Sequence, residues 1–138
     1  GYNCCQSVAV AFAEEMGMTE KQALQISAGF GGGFGRMREV CGAFSGITLV
    51  LGALYGSDDP AKKTALYTDV QALAAEYKAR NGRGSMICKE LLGLKEPEGS
   101  PIASPRPPEY YKKRPCPELV ALAAQILEEW LAEHPARL

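Results

Sequence analysis

GFGGGFGRMREVCGAFSG, residues 29–46, sets a run of glycines beside a thiol, Cys41, and the way that run is read decides the fold. Glycine accepts positive φ and lets other backbone or a ligand approach closely. Gly31, Gly33 and Gly35 superficially match a dinucleotide fingerprint, but that motif needs a β-strand leading into the turn and an acidic residue beyond the next strand. The preceding segment, Thr19 to Ala28, reads as helix instead. The turn therefore joins two helices, and the chain is expected to be all-α rather than α/β.

Working outward, each helical stretch carries its own start and stop signals. Asn3, with Gln6 three residues on, caps a first helix from about Cys4 to Met16, whose core face is Cys5, Val8, Phe12 and Met16; Gly17 ends it. Thr19 and Gln22 cap a short second helix that closes at Gly29. A third, from about Arg36 to Tyr55, is apolar nearly all round and reads as the buried central helix. Its Gly42, Gly46 and Gly52 each cost up to about 1 kcal/mol relative to alanine, so close approach of another helix or a ligand is the expected compensation.

Asp58-Asp59-Pro60 opens a fourth helix with Leu66, Val70, Leu73 and Tyr77 inward, stopped by Asn81-Gly82. Ser85 is read as the cap of a short fifth helix beginning at Cys88 and halting at Gly93. Six prolines between Leu94 and Pro115 argue against regular structure there. So long a loop is expected to be a lid over the cysteine region or a wrap around the surface. The last helix, about Pro117 to Glu133, directs Leu119, Val120, Ala123, Ile126, Leu127, Trp130 and Leu131 to the core. The sum is a compact bundle of about five to six helices, with no alternating strand pattern and no internal repeat.

Composition narrows the function classes. The 138 residues, 46% hydrophobic and 22% charged, suit one domain spanning 1–138. A net charge of −1 removes the electrostatic case for nucleic acid. The basic cluster Lys112, Lys113 and Arg114 sits in the proline-rich loop and reads as solvated. No apolar run is long enough to demand a bilayer. Absence of a leader pattern and an odd number of cysteines favour the cytoplasm, although a start at Gly1-Tyr2-Asn3, almost on the first motif, suggests a truncated N-terminus.

The cysteines are Cys4, Cys5, Cys41, Cys88 and Cys116, and no two form a CxxC. What unites them is placement near helix starts: Cys4 and Cys5 in a first turn, Cys88 after Ser85, Cys116 as the cap ahead of Pro117, and Cys41 about a turn inside its helix. Positive helix ends favour thiolate and are expected to lower these thiol pKa values. The sole histidine, His134, lies next to Pro135 near the last residue, which disfavours a hydrolase triad and a histidine-rich metal site. Glu14, Glu15, Glu128 and Glu129 read as solvated pairs. Arg36, Arg38 and Glu39 lie between the glycine turn and Cys41, where a guanidinium could stabilise a thiolate or grip an anion. Gly33, Gly35, Arg36 and Gly42 are the candidate positions for approach of a ligand or cofactor.

The chain resembles the C_GCAxxG_C_C family of redox-active proteins, named for four cysteines and a CGAxxG motif. The resemblance rests on Asn3-Cys4 with Gln6-Ser7-Val8, on Gly31 to Arg36, on Cys41-Gly42-Ala43-Phe44-Ser45-Gly46, on Cys88 to Gly93, and on Cys116 before the final helix. It implies that Cys4, Cys41, Cys88 and Cys116 are the functional thiols and that Cys5 is an extra, filler cysteine. Three readings stay open: thiol redox chemistry by converging cysteines, a zinc ion or iron–sulfur cluster held by the same four, or a structural helical protein in which the thiols are incidental. Four cysteines allow three pairings. Neither the redox partner nor a small-molecule substrate is named by the sequence, and a homo-oligomer is left open.

Overall fold

A computed structural model describes residues 1–93 and 116–134. The protein is all-α, with helices α1 (Cys4–Ala11), α2 (Glu20–Ser27), α3 (Gly42–Tyr55), α4 (Pro60–Arg80), α5 (Cys88–Leu91) and α6 (Cys116–Glu133), and a 3₁₀ turn over Ala28–Phe30. Among the described residues there is no strand, only an isolated antiparallel bridge between Val40 and Ile87. The proline-rich loop and its basic cluster lie outside the described residues, as does the lid reading placed on them.

Capping boxes form as the sequence leads one to expect. The Asn3 side chain accepts from the Gln6 amide and the Gln6 side chain accepts from the Asn3 amide. Thr19 and Gln22 repeat the arrangement for α2. Asp59 caps α4 with Pro60 in its first turn. Asn3 and Gln6 also donate to the carbonyls of Ala28 and Leu24, which ties the start of α1 to the end of α2.

Helix α3 is the centre of the bundle, packed by α1, α4 and α6. Its buried residues run from Gly42 through Ile47 and on to Val50, Leu51 and Leu54. Gly42 and Gly46, four residues apart, share one face and admit α1 closely. A Cβ on Gly46 would stand 2.6 Å from the Val8 Cβ, and one on Gly42 would stand 3.1 Å from the Cys4 Cβ. The CGAxxG motif is thus a helix-packing device that draws Cys4 against the start of α3. Gly52 is different: it is exposed, and an added Cβ would meet nothing within 4 Å, so close packing does not explain it.

Two helix starts depart from expectation. Helix α3 begins at Gly42 with Cys41 as its cap, not at Arg36. The reason is a left-handed run in which Gly32, Gly33, Phe34, Gly35, Arg36 and Arg38 all have φ between 58° and 73°. Three of these are not glycine, and such residues disfavour this region by roughly 1–2 kcal/mol each. The run closes on itself through Arg36 N–H to Gly31 O, Arg38 N–H to Gly32 O and Glu39 N–H to Gly33 O. Helix α5 is capped by Ile87 rather than Ser85; the Ser85 hydroxyl accepts from the Ile87 amide and contacts Glu90. Helix α1 is shorter than its apolar face, ending at Ala11 while Phe12 and Met16 continue into the core from a turn.

Candidate functional site

Four helix starts converge on one small cavity of about 20 Å³, lined by Cys4, Cys41, Cys88 and Cys116 together with Arg38, Gly32, Gly42 and three leucines, Leu91, Leu92 and Leu119. That is room for about one water molecule. Each thiol arrives by a different local device. Cys4 opens α1 and is set by the Asn3 cap and the close approach to Gly42. Cys41 caps α3, with its amide donating to Met86 O at 2.7 Å. Cys88 opens α5 and donates its amide to Glu39 O, so the Val40–Ile87 bridge clamps the two thiol-bearing segments side by side. Cys116 is the first residue of α6.

The four differ in access. Cys41, Cys88 and Cys116 are buried at 5–8% exposure, while Cys4 is partly exposed. None of the four is joined in a disulfide. Cys5, the extra cysteine, is fully buried and does not line the cavity.

Arg38 attends the sulfur of Cys88 and Tyr77 that of Cys41. Arg38, 2% exposed, directs Nη1 toward the Cys88 Sγ at 3.8 Å. The hydroxyl of Tyr77, on the buried face of α4, lies 3.3 Å from the Cys41 Sγ, with its ring tilted against Phe44. Arg38 was legible as an interesting cation near Cys41, but it serves Cys88. Helical spacing marks Tyr77 only as core; a phenol on a face otherwise filled by aliphatic residues is the signal that its hydroxyl needs a partner.

Burial reverses the expected electrostatics. Helix ends do act, since the amides of Ala43 and Phe44 favour the Cys41 thiolate, although the sulfur makes no capping hydrogen bond of good geometry. Loss of water dominates nonetheless, and the Cys41 thiol is pushed up, against the help of Tyr77 and those amides. The Cys88 thiol is also pushed up by burial, with Arg38 opposing through its hydrogen bond and charge. Cys5 is pushed up to about 12 by burial and by Cys41. These thiols remain protonated in the folded state at pH values where an unfolded chain releases its protons, starting near the ordinary value of 9.0. The unfolded state then binds fewer protons, so stability falls as pH rises. Denaturant titrations are expected to lose about 1.4 kcal/mol per pH unit from Cys5 alone between 9.0 and about 12, with Cys41 and Cys88 adding to the loss in the same direction, and a flat profile over that window would contradict this burial.

Of the other candidate positions, Gly42 lines the cavity, whereas Gly33, Gly35 and Arg36 are not among its lining residues. His134 stacks on Trp130 with ring centroids 4.1 Å apart and does not line it either. Glu14, Glu15, Glu128 and Glu129 are exposed, with Glu129 paired to Arg80. Among the described residues, no three Cys, His, Asp or Glu side chains are grouped so as to hold a metal ion. No helix of the described residues is long and apolar enough to cross a membrane.

No curated protein and no solved structure matches the chain. A family model described as "Putative redox-active protein (C_GCAxxG_C_C)" matches residues 2–130, a span that holds all four cavity cysteines, the left-handed glycine run and the Gly42/Gly46 packing face. The chain belongs to the C_GCAxxG_C_C family.

Proposed function

We propose that this protein is a thiol-based electron donor in which Cys4, Cys41, Cys88 and Cys116 work as one redox centre. The observation that carries the reading is the meeting of these four, from four separate segments, on one small cavity while Cys5 stands outside it. Two cavity thiols would give up two electrons and two protons and become a disulfide. The acceptor would be a disulfide, reduced to two thiols, or a peroxide, reduced to water and an alcohol or a second water.

The electrostatics support one direction of electron flow. Strongly oxidising disulfides owe their potential to a stabilised thiolate in the reduced form. Burial of Cys41 and Cys88 withholds that stabilisation, which favours a reducing pair. Cys4, the partly exposed member, is the natural contact for a partner arriving from solvent. It exchanges with the substrate first and a buried thiol resolves the resulting bond.

Thiol counting on the native protein tests the proposal. Mild oxidation is expected to remove two of the five titratable thiols, and a dithiol reductant to restore them. Five free thiols persisting through oxidation would overturn it.

A further inference from the structure

The buried phenol of Tyr77 is more than packing. A hydroxyl taken out of water without a partner is costly, and a phenylalanine would fill the same volume without that cost. Tyr77 is 0% exposed and its hydroxyl faces the Cys41 sulfur at 3.3 Å. The contact reaches Cys41 from α4, while the cavity holds Cys4, Cys88 and Cys116. The sulfur is thus attended both by a hydrogen-bonding group and by the thiols with which it would exchange.

We propose that Tyr77 is a positioning residue that donates a hydrogen bond to Cys41 when this sulfur carries negative charge, making Cys41 the leaving thiolate of the centre. This rests on the redox reading above and adds the residue that would govern one of its steps. In that step an attacking thiolate forms a bond to the sulfur joined to Cys41, the old S–S bond breaks, and its electron pair stays on the Cys41 Sγ. The phenol keeps its proton throughout: burial and the neighbouring thiols push its own ionisation upward, so it acts as donor and not as base. A lower-energy leaving thiolate leaves faster. Among the described residues, the titratable or charged groups that line this cavity or act on Cys41 include Cys4 and Cys5 from α1, Arg38 and Cys88 from the bridge region, and Cys116 from α6.

The test is site-resolved alkylation of the full chain, followed by mass spectrometry at a fixed pH near 8.5, with Cys88 as reference within the same molecule. In Tyr77→Phe the Cys41 rate is expected to fall about tenfold relative to Cys88, the equivalent of one unit in thiol pKa. A second variant, with 3-fluorotyrosine at position 77, keeps the shape and strengthens the donor, and is expected to raise the Cys41 rate above that of the parent. It also decides the matter if Tyr77→Phe fails to fold. An unchanged Cys41 to Cys88 ratio in either variant, with the fold intact by circular dichroism, overturns the proposal. Should the ratio respond while oxidation never joins two cavity thiols, the redox reading fails and the hydrogen bond stands. Should disulfides form with an unresponsive ratio, the reverse holds.

Discussion

Replacing Gly33 with alanine is expected to lower the thermal midpoint by about 10 °C, a large effect for the addition of one methyl group. Gly33 has φ near +73°, and an added Cβ would lie 2.5 Å from the Glu39 amide nitrogen and 2.8 Å from the Arg38 Cα and carbonyl carbon. Both neighbours are backbone, so no side-chain rotation relieves the clash. The conformation itself costs a residue with a Cβ about 1–2 kcal/mol, and the enforced displacement brings the sum to about 3 kcal/mol. For a chain of this size each kcal/mol moves the midpoint by about 3–4 °C. The damage would fall on the site, because the residues displaced are those that carry Arg38 and accept the Cys88 and Lys89 amides. Gly52→Ala is the control: an added Cβ there meets nothing within 4 Å, and a mid-helix glycine exchanged for alanine is expected to gain about 1 kcal/mol. Thermal unfolding by circular dichroism checks both, and a Gly33→Ala midpoint within about 1 °C of the parent would show the left-handed run to be dispensable.

The second large effect is chemical. Arg38→Met keeps a long apolar stem in the same buried space and removes the cation beside Cys88. Burial then acts on the Cys88 thiol without the opposing hydrogen bond and charge, so its pKa rises further and its thiolate fraction falls. Alkylation of Cys88 at pH 8 is expected to slow by about tenfold or more, the scale of one adjacent opposite charge. Arg38→Lys is expected to recover part of this rate, since an ammonium restores the charge but not the planar fork. Equal Cys88 rates in all three proteins would remove Arg38 from the account.

Much of the architecture was written locally in the residues. Caps such as Asn3 with Gln6 and Thr19 with Gln22 satisfy their own amides within one turn, so helix starts could be placed without knowing the tertiary structure. The core faces of α1, α4 and α6 followed from helical spacing for the same reason. The start of α3 could not be read that way. Phe34, Arg36 and Arg38 adopt left-handed backbone that their residue types do not announce, held by hydrogen bonds to Phe30 and the glycines that precede them.

The candidate site was legible to a different depth. Capping signals place Cys4 in the first turn of a helix and Cys88 and Cys116 close to helix starts, but they put Cys41 a turn inside α3 rather than at its cap, and the meeting of the four on one cavity depends on how α1 seats on Gly42 and Gly46 and how the Val40–Ile87 bridge aligns two distant segments. The thiol shifts run opposite to the helix-end expectation because a helix-end argument is local while desolvation is set by the whole bundle. Tyr77 shows the same limit: periodicity placed its ring in the core, and only packing shows which atom its hydroxyl meets.

The most direct measurement is disulfide mapping of the native protein after stoichiometric oxidation, by proteolysis under acidic, thiol-blocking conditions and mass spectrometry. A bond joining two of Cys4, Cys41, Cys88 and Cys116, with Cys5 recovered as a free thiol, is the result expected of one shared redox centre. A bond that includes Cys5, or a protein whose cavity cysteines never join, would contradict it.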